Sequence, residues 1–160
     1  MNPKVYIETT IPSFYHCGRK DPESVAMHHW TREWWDERRT EFLLATSAAV
    51  LLEIEDGHHP LTAVRLEFLH ALPLLGLDEG AVEIAQIYID RLVMPRDQTG
   101  DALHLALASW HKCDILLTWN CKHLANYRKT QQIRRINTAL GIHVPELLTP
   151  LELLSHESDL

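Results

Sequence analysis

The chain has 160 residues, is 46% hydrophobic and carries a formal net charge of −7. That is enough for one well-buried core and too little for two ordinary domains, so residues 1–160 are read as a single domain. The acidic balance excludes the bulk cationic surface of a passive nucleic-acid-binding module, while leaving room for acids that hold divalent cations.

Val5-Tyr6-Ile7 reads as a short buried strand ending at Glu8, and Thr9 to Cys17 as a loop containing Pro12. Asp21-Pro22-Glu23 is a helix start, with a capping Asp, a first-turn Pro and a Glu at the positive end. That helix should run to about Arg39 with Met27, Trp30 and Trp34 on one stripe. Phe42 to Ala45 is a second strand. Ser47 caps a helix that stops at Gly57, and another follows Pro60. Leu74-Leu75 is a brief apolar stretch. Asp78 caps a helix from Glu79 to about Leu92, Met94 to Gly100 is a loop, and Asp101 opens a helix to about Lys112. Ile115 to Trp119 is a third strand. Helical pattern returns from Lys122 to Leu140, broken once, and ends at Gly141. Val144 begins a last extended piece, and Thr149-Pro150-Leu151-Glu152 fits a capping box over a terminal helix. Short apolar strands alternating with helices predict an α/β domain, a central parallel sheet flanked by helices on both faces.

In such sheets function gathers at the carboxyl ends of the strands. Glu8 stands there, partly desolvated; it is either a ligand for a cation or a strand-end acid emerging into water. Glu53 shares a helix face with Ala49 and Val50, and is either a site acid or an acid at the edge of that stripe reaching water, whereas Glu55 and Asp56 read as solvated. Asp101 suits a helix first turn, where the dipole favours an acid. His104, one turn on, reads more readily as a satisfied core histidine than as a ligand. Asn120 closes the third strand and either offers a carbonyl oxygen to a metal or caps the following turn. Several oxygen ligands at one sheet edge suit Mg²⁺ or Mn²⁺.

These residues resemble the motifs of the PIN-domain family. Tyr6-Ile7-Glu8-Thr9-Thr10 is similar to the opening motif, Leu52 to Gly57 to the second, Gly100 to Ala108 to the third, and Leu116 to Asn120 with His123 to the fourth. The resemblance implies a metal-dependent endoribonuclease that hydrolyses RNA phosphodiesters, of the kind found as toxins of VapBC toxin–antitoxin pairs. It implies Glu8, Glu53 and Asp101 as metal-binding acids, Thr9 or Thr10 as hydrogen-bonding support for the first, and Asn120 in the place of a fourth acid. The first acid is usually Asp and here is the longer Glu8; the fourth is usually Asp and here is neutral.

Two other readings stay open. One is a PIN-like module that binds RNA or a protein without cutting, for which Asn120 speaks. The other is a zinc site of Cys113, Cys121 and His123, whose spacing lacks paired ligands. The three cysteines, Cys17 with those two, form no disulfide framework and point to a reducing compartment. The run before Glu8 is too short for a signal peptide and no apolar run reaches membrane-spanning length, so a cytoplasmic protein with no membrane contact is expected. The stripe of Met27, Trp30 and Trp34, with Trp35 alongside, serves either as core or as a homodimer face or antitoxin groove.

Overall fold

A computed structural model describes residues 2–91, 93–95 and 99–155, residue 99 for its backbone alone. Among them, five strands form one sheet of order β3-β2-β1-β4-β5, with every neighbouring pair parallel. The strands are β1 (Lys4–Ile7), β2 (Leu43–Ser47), β3 (Leu74–Leu75), β4 (Ile115–Leu117) and β5 (Glu146–Leu148). The helices are α1 (Thr10–Tyr15), α2 (Pro22–Arg38), α3 (Ala48–Asp56), α4 (Thr62–Leu69), α5 (Glu79–Asp90), α6 (Thr99–Trp110), α7 (Tyr127–Leu140) and α8 (Pro150–Ser155).

The strand order explains the layers. From β1 the chain steps outward to β2 and β3, then crosses back to β4 and continues to β5. Right-handed crossovers place α1–α4 on one face and α5–α7 on the other. The reversal lies between β1 and β4, the switch point where an open parallel sheet leaves a crevice. Both strands are buried at their carboxyl ends, with Val5, Tyr6, Ile7, Leu116 and Leu117 fully enclosed. Continuous apolar runs such as these are what a sheet covered on both faces requires. No helix among the described residues is long and apolar enough to cross a membrane.

Several local signals act as predicted. The Asp21 carboxylate accepts from Ser24 N at 3.1 Å. Thr149 and Glu152 cap each other reciprocally, at 3.2 and 3.1 Å. Gly141 takes the left-handed conformation, φ 69°, that ends α7.

Others differ. The predicted loop at Thr9–Cys17 contains α1, because Pro12 falls in a first turn, where its missing N–H costs nothing. Asp78 precedes α5 without capping it; its carboxylate instead accepts from Trp110 Nε1 at 2.8 Å. The helix expected to begin at Asp101 starts at Thr99, and the predicted helical run from Lys122 begins only at Tyr127, capped by Asn126. Of the loop expected at Met94–Gly100, residues 96–98 lie outside the described residues, as does the predicted end of α5 at Leu92. Trp34 and Trp35 belong to the core, and Trp30 stacks on Trp119, so most of the aromatic stripe is internal packing.

Candidate functional site

The carboxyl ends of β1 and β4 and the facing ends of α3 and α6 bring the predicted residues to one place. Glu8 follows β1 directly. Its backbone N–H donates to Leu117 O at 3.3 Å, which ties it to β4. The Glu8 side chain is almost fully buried. Three donors converge on its Oε2: Thr10 Oγ1 at 2.5 Å, Thr118 Oγ1 at 2.7 Å and Thr10 N at 3.1 Å. No donor among the described residues reaches Oε1. Burial pushes the Glu8 carboxyl above the ordinary range, and the charge of His104 and the threonine bonds only partly offset it.

Glu53, on the last turns of α3, is held at both oxygens. His104 Nε2 donates to Oε1 at 2.7 Å, and Thr9 Oγ1 donates to Oε2 at 2.7 Å. Burial alone would raise its pKa, but the bond and charge from His104, with the Thr9 bond, bring it below the usual value. The paired hydroxyls of the opening motif therefore divide their work. Thr10 supports Glu8, and Thr9 supports the acid of the second motif.

His104 is completely buried. Its Nδ1 meets Tyr6 Oη at 2.7 Å, and Tyr6 Oη meets Ser47 Oγ at 2.7 Å. A carboxylate oxygen only accepts, so Nε2 carries a proton toward Glu53. Burial would lower the His104 pKa, but the bond to Glu53 and the charges of Glu53, Glu8 and Asp101 outweigh it and raise it. Burial drives Tyr6 ionisation far up, so the phenol stays neutral. Core histidine describes His104 correctly, but incompletely. The ligand atoms of Glu8, Glu53 and His104 all lie within 4.8 Å of one another.

Asp101, in the first turn of α6, is not a member of this trio, though it lies near enough for the charges of His104 and Glu53 to act on it. Its Oδ2 accepts from Asn120 Nδ2 at 3.0 Å. Burial raises the Asp101 pKa; His104, the Asn120 bond and His123 pull it down, and Glu53 adds a small rise. Desolvation is the first cause of the rise at both Glu8 and Asp101, and a neighbouring carboxylate, Glu53, adds to it only at Asp101. Asn120 Oδ1 accepts from His123 N at 3.0 Å. With its oxygen on a backbone N–H and its nitrogen on a carboxylate, the amide has only one orientation that satisfies both. Its carbonyl is committed to the cap, and its link to the acids is through nitrogen.

Gly100 carries no strong signal of its own in the sequence. A Cβ there would stand 2.6 Å from Glu53 Oε1, so the absence of a side chain makes room for that carboxylate. Thr118, legible in sequence only as part of a strand end, is likewise a direct support of Glu8. Cys113 is buried, Cys121 is exposed, and they form no metal-ligating group with His123 among the described residues.

No family model and no curated protein matches the sequence. Solved structures do match. One is a chain of the crystal structure of VapBC2 from Rickettsia felis bound to a DNA fragment from their promoter. It has TM-score 0.52 and 15% identity, and the match covers 91% of this chain and 98% of that one. At that identity the likeness establishes a shared fold over nearly the whole chain. The α/β architecture expected from the alternation of strands and helices is therefore one that this chain shares with a chain of the VapBC2 structure.

The donor set suits a hard divalent cation. Two carboxylates face each other, and Glu8 Oε1 and Asp101 Oδ1 receive no hydrogen bond from any described residue. Each of these two oxygens is therefore open to a cation or to water.

Proposed function

We propose that this protein is a divalent-metal-dependent endoribonuclease, cytoplasmic, and the toxin of a toxin–antitoxin pair. The observation that carries the reading is the convergence of Glu8 and Glu53 at the β1/β4 switch point, with Asp101 alongside. The VapBC2 likeness supports a small protein antitoxin as partner. A homodimer is part of the reading, with its face away from the buried Trp34 and Trp35.

Glu8, Glu53 and Asp101 would hold Mg²⁺ or Mn²⁺. When bound, the ion supplies Lewis-acid activation of water and charge stabilisation on the phosphoryl oxygens. The chain's own residues do the rest. Thr10 and Thr118 fix Oε2 of Glu8 and so hold the carboxylate in one rotamer. His104 and Thr9 clamp Glu53 in one rotamer, which removes the entropy cost of orienting it when substrate arrives. Asn120 Nδ2 holds Oδ2 of Asp101.

The test is cleavage of generic single-stranded RNA by the pure protein. Mn²⁺-stimulated, EDTA-sensitive cutting that Glu53→Gln abolishes is the expected result. Metal-independent cutting, or cutting retained by that variant, would remove the assignment. A second reading, a nuclease-like module with weak or no catalysis, is favoured by Asn120: a neutral amide with its oxygen spent on His123 stands where the resemblance places an acid. RNA binding without any cleavage in Mn²⁺ would select it.

A further inference from the structure

The α1–α2 face holds a second concentration of chemistry that cleavage does not use. A pocket of about 350 Å³ is lined by His16, Cys17, Gly18, His28, Arg32 and Leu61, with no carboxylate in the lining. Arg65 stands behind it, donating to His16 O and Ser13 O at 2.9 and 3.0 Å. After burial, the charges of Arg32, Arg65 and His28 are what lower the His16 pKa, which places all these groups around one imidazole. Such crowding of cationic side chains is unexpected in a chain of net charge −7.

One of these side chains has capacity to spare. Arg32 uses Nε on Tyr15 O at 3.2 Å and lies 4.4 Å over the Tyr15 ring. Neither of its Nη groups has a hydrogen-bond partner among the described residues. Glu33, Asp36 and Glu37 border its other flank, but Asp36 accepts from Tyr15 Oη, and no ion pair joins Arg32 to them among the described residues. His28 Nδ1 donates to Phe14 O at 2.7 Å, which holds the ring in the same pocket as Arg32. A guanidinium with both Nη groups unspent, in a pocket with no carboxylate in its lining, is suited to a phosphate.

Aromatic rings connect this pocket to the acids. Phe14, whose carbonyl holds His28, meets Trp119 edge-on at 6.3 Å, and Trp119 stacks on Trp30 at 6.2 Å. The Trp119 backbone N–H donates to Thr10 Oγ1, which in turn donates to Glu8. All of these rings are half-buried. Stacking surfaces beside a cationic track are what single-stranded nucleic acids use.

We propose that the Arg32–His28 pocket binds a backbone phosphate of single-stranded RNA away from the bond to be cut, with Phe14, Trp30 and Trp119 as the surface between. The identity of the ligand chain rests on the nuclease reading; capture of the phosphate rests on Arg32.

The test is fluorescence anisotropy of a short labelled oligouridine, in EDTA so that nothing is cleaved. Arg32 is exposed, so Arg32→Gln and Arg32→Glu remove only its contacts with Tyr15 from the fold, and the melting temperature of each variant is measured alongside. Arg32→Gln should weaken binding about fivefold and flatten the dependence of log K on log salt by about 0.7, one single-strand phosphate contact. Inorganic phosphate should compete with the oligonucleotide in the wild-type protein and much less in the variant. Wild-type affinity and salt slope in both variants would overturn the proposal. So would Arg32-dependent binding of a polyglutamate peptide by a protein that ignores oligouridine, which would assign the pocket to an acidic protein partner. Because the assay contains no free metal, a protein that never cuts RNA still reports on this pocket. Lost cleavage in Glu53→Gln with intact binding separates the two readings.

Discussion

Asn120 and Asp101 are joined side chain to side chain, the amide Nδ2 donating to Oδ2 at 3.0 Å. The contact reverses the role that a fourth acid would have. An acid there would repel Asp101 until a cation came between them; Asn120 neutralises the need for one. Asn120→Asp keeps an oxygen for the His123 N–H and turns the other toward Asp101. Two carboxylates at that spacing cannot both ionise without a counter-charge. The metal-free variant should therefore melt lower at pH 8 than the wild type, and Mn²⁺ should restore the difference. Calorimetric titration should show tighter Mn²⁺ binding in the variant. Equal affinity in the two proteins would mean that position 120 does not face the ion.

Gly100→Ala tests the Glu53 rotamer. Alanine is the better helix former by roughly 0.5–1 kcal/mol, and the atom it meets is the flexible end of Glu53 at 2.6 Å. At the second residue of α6 little of that gain applies, while pushing Glu53 off His104 forfeits a bond to a buried imidazole, so the protein should melt lower. Cleavage and Mn²⁺ affinity should fall together. A fully active Gly100→Ala protein would show that the Glu53 rotamer seen here is not the working one.

Glu53→Gln and Glu55→Gln test which acid of the second motif matters. Glu53 is bonded to His104 and Thr9, whereas Glu55 is exposed. Loss of cleavage in the first and wild-type rates in the second are expected. Equal loss in both would undo the distinction.

The pH dependence of metal-free stability should carry the mark of Glu8. Its folded pKa is raised above 4.5. The folded state therefore holds a proton that the unfolded chain has lost, and this contribution is fully present below 4.5 and lost as pH rises through the raised value. Glu8→Gln keeps an oxygen for Thr10 and Thr118 without the charge. It should raise the melting temperature at pH 8, by about 2–4 °C for each kcal/mol recovered, and do little at pH 4. Glu53 works in the opposite sense. Its pKa is lowered, so its contribution is present above 4.5 and is lost as pH falls through the lowered value. A Glu8→Gln protein no more stable than wild type at pH 8 would show that the burial cost is met elsewhere.

His104 should titrate above 6.5, because the bond and charge from Glu53 more than offset burial. Its stabilising contribution is then complete below 6.5 and falls away as pH rises through the raised value. Imidazole carbon resonances followed by NMR should show that midpoint, and Glu53→Gln should move it down. A midpoint at or below 6.5 in the wild type would contradict the hydrogen-bonded pair.

The sheet and most helix starts were legible because their signals are local. Buried parallel strands read as apolar runs, and Asp21, Ser47 and Thr149 sit one residue before their helices. Asp78 looks the same in sequence, but Trp110, 32 residues away, takes its carboxylate. The acids of the site were legible as residue types at strand and helix ends. Their supports were not. His104 could be read as core because burial and site membership coincide in it, and nothing local shows that Glu53 lies across from its Nε2. Gly100 matters through a side chain 47 positions earlier in the chain, a relationship only the folded backbone defines.

The bond from Thr118 to Glu8 spans 110 residues, and it has a consequence for synthesis. Chains emerge from ribosomes at about 5–20 residues per second, so Glu8 and Glu53 are made seconds before Thr118 and Asn120. Through that interval β1 can pair with β2, but its other edge is bare and the Glu8 carboxylate has only Thr10. The two halves of the crevice thus meet late, when β4 closes onto β1. A nascent or prematurely ended chain that stops short of Asp101 carries two of the acids and no completed site.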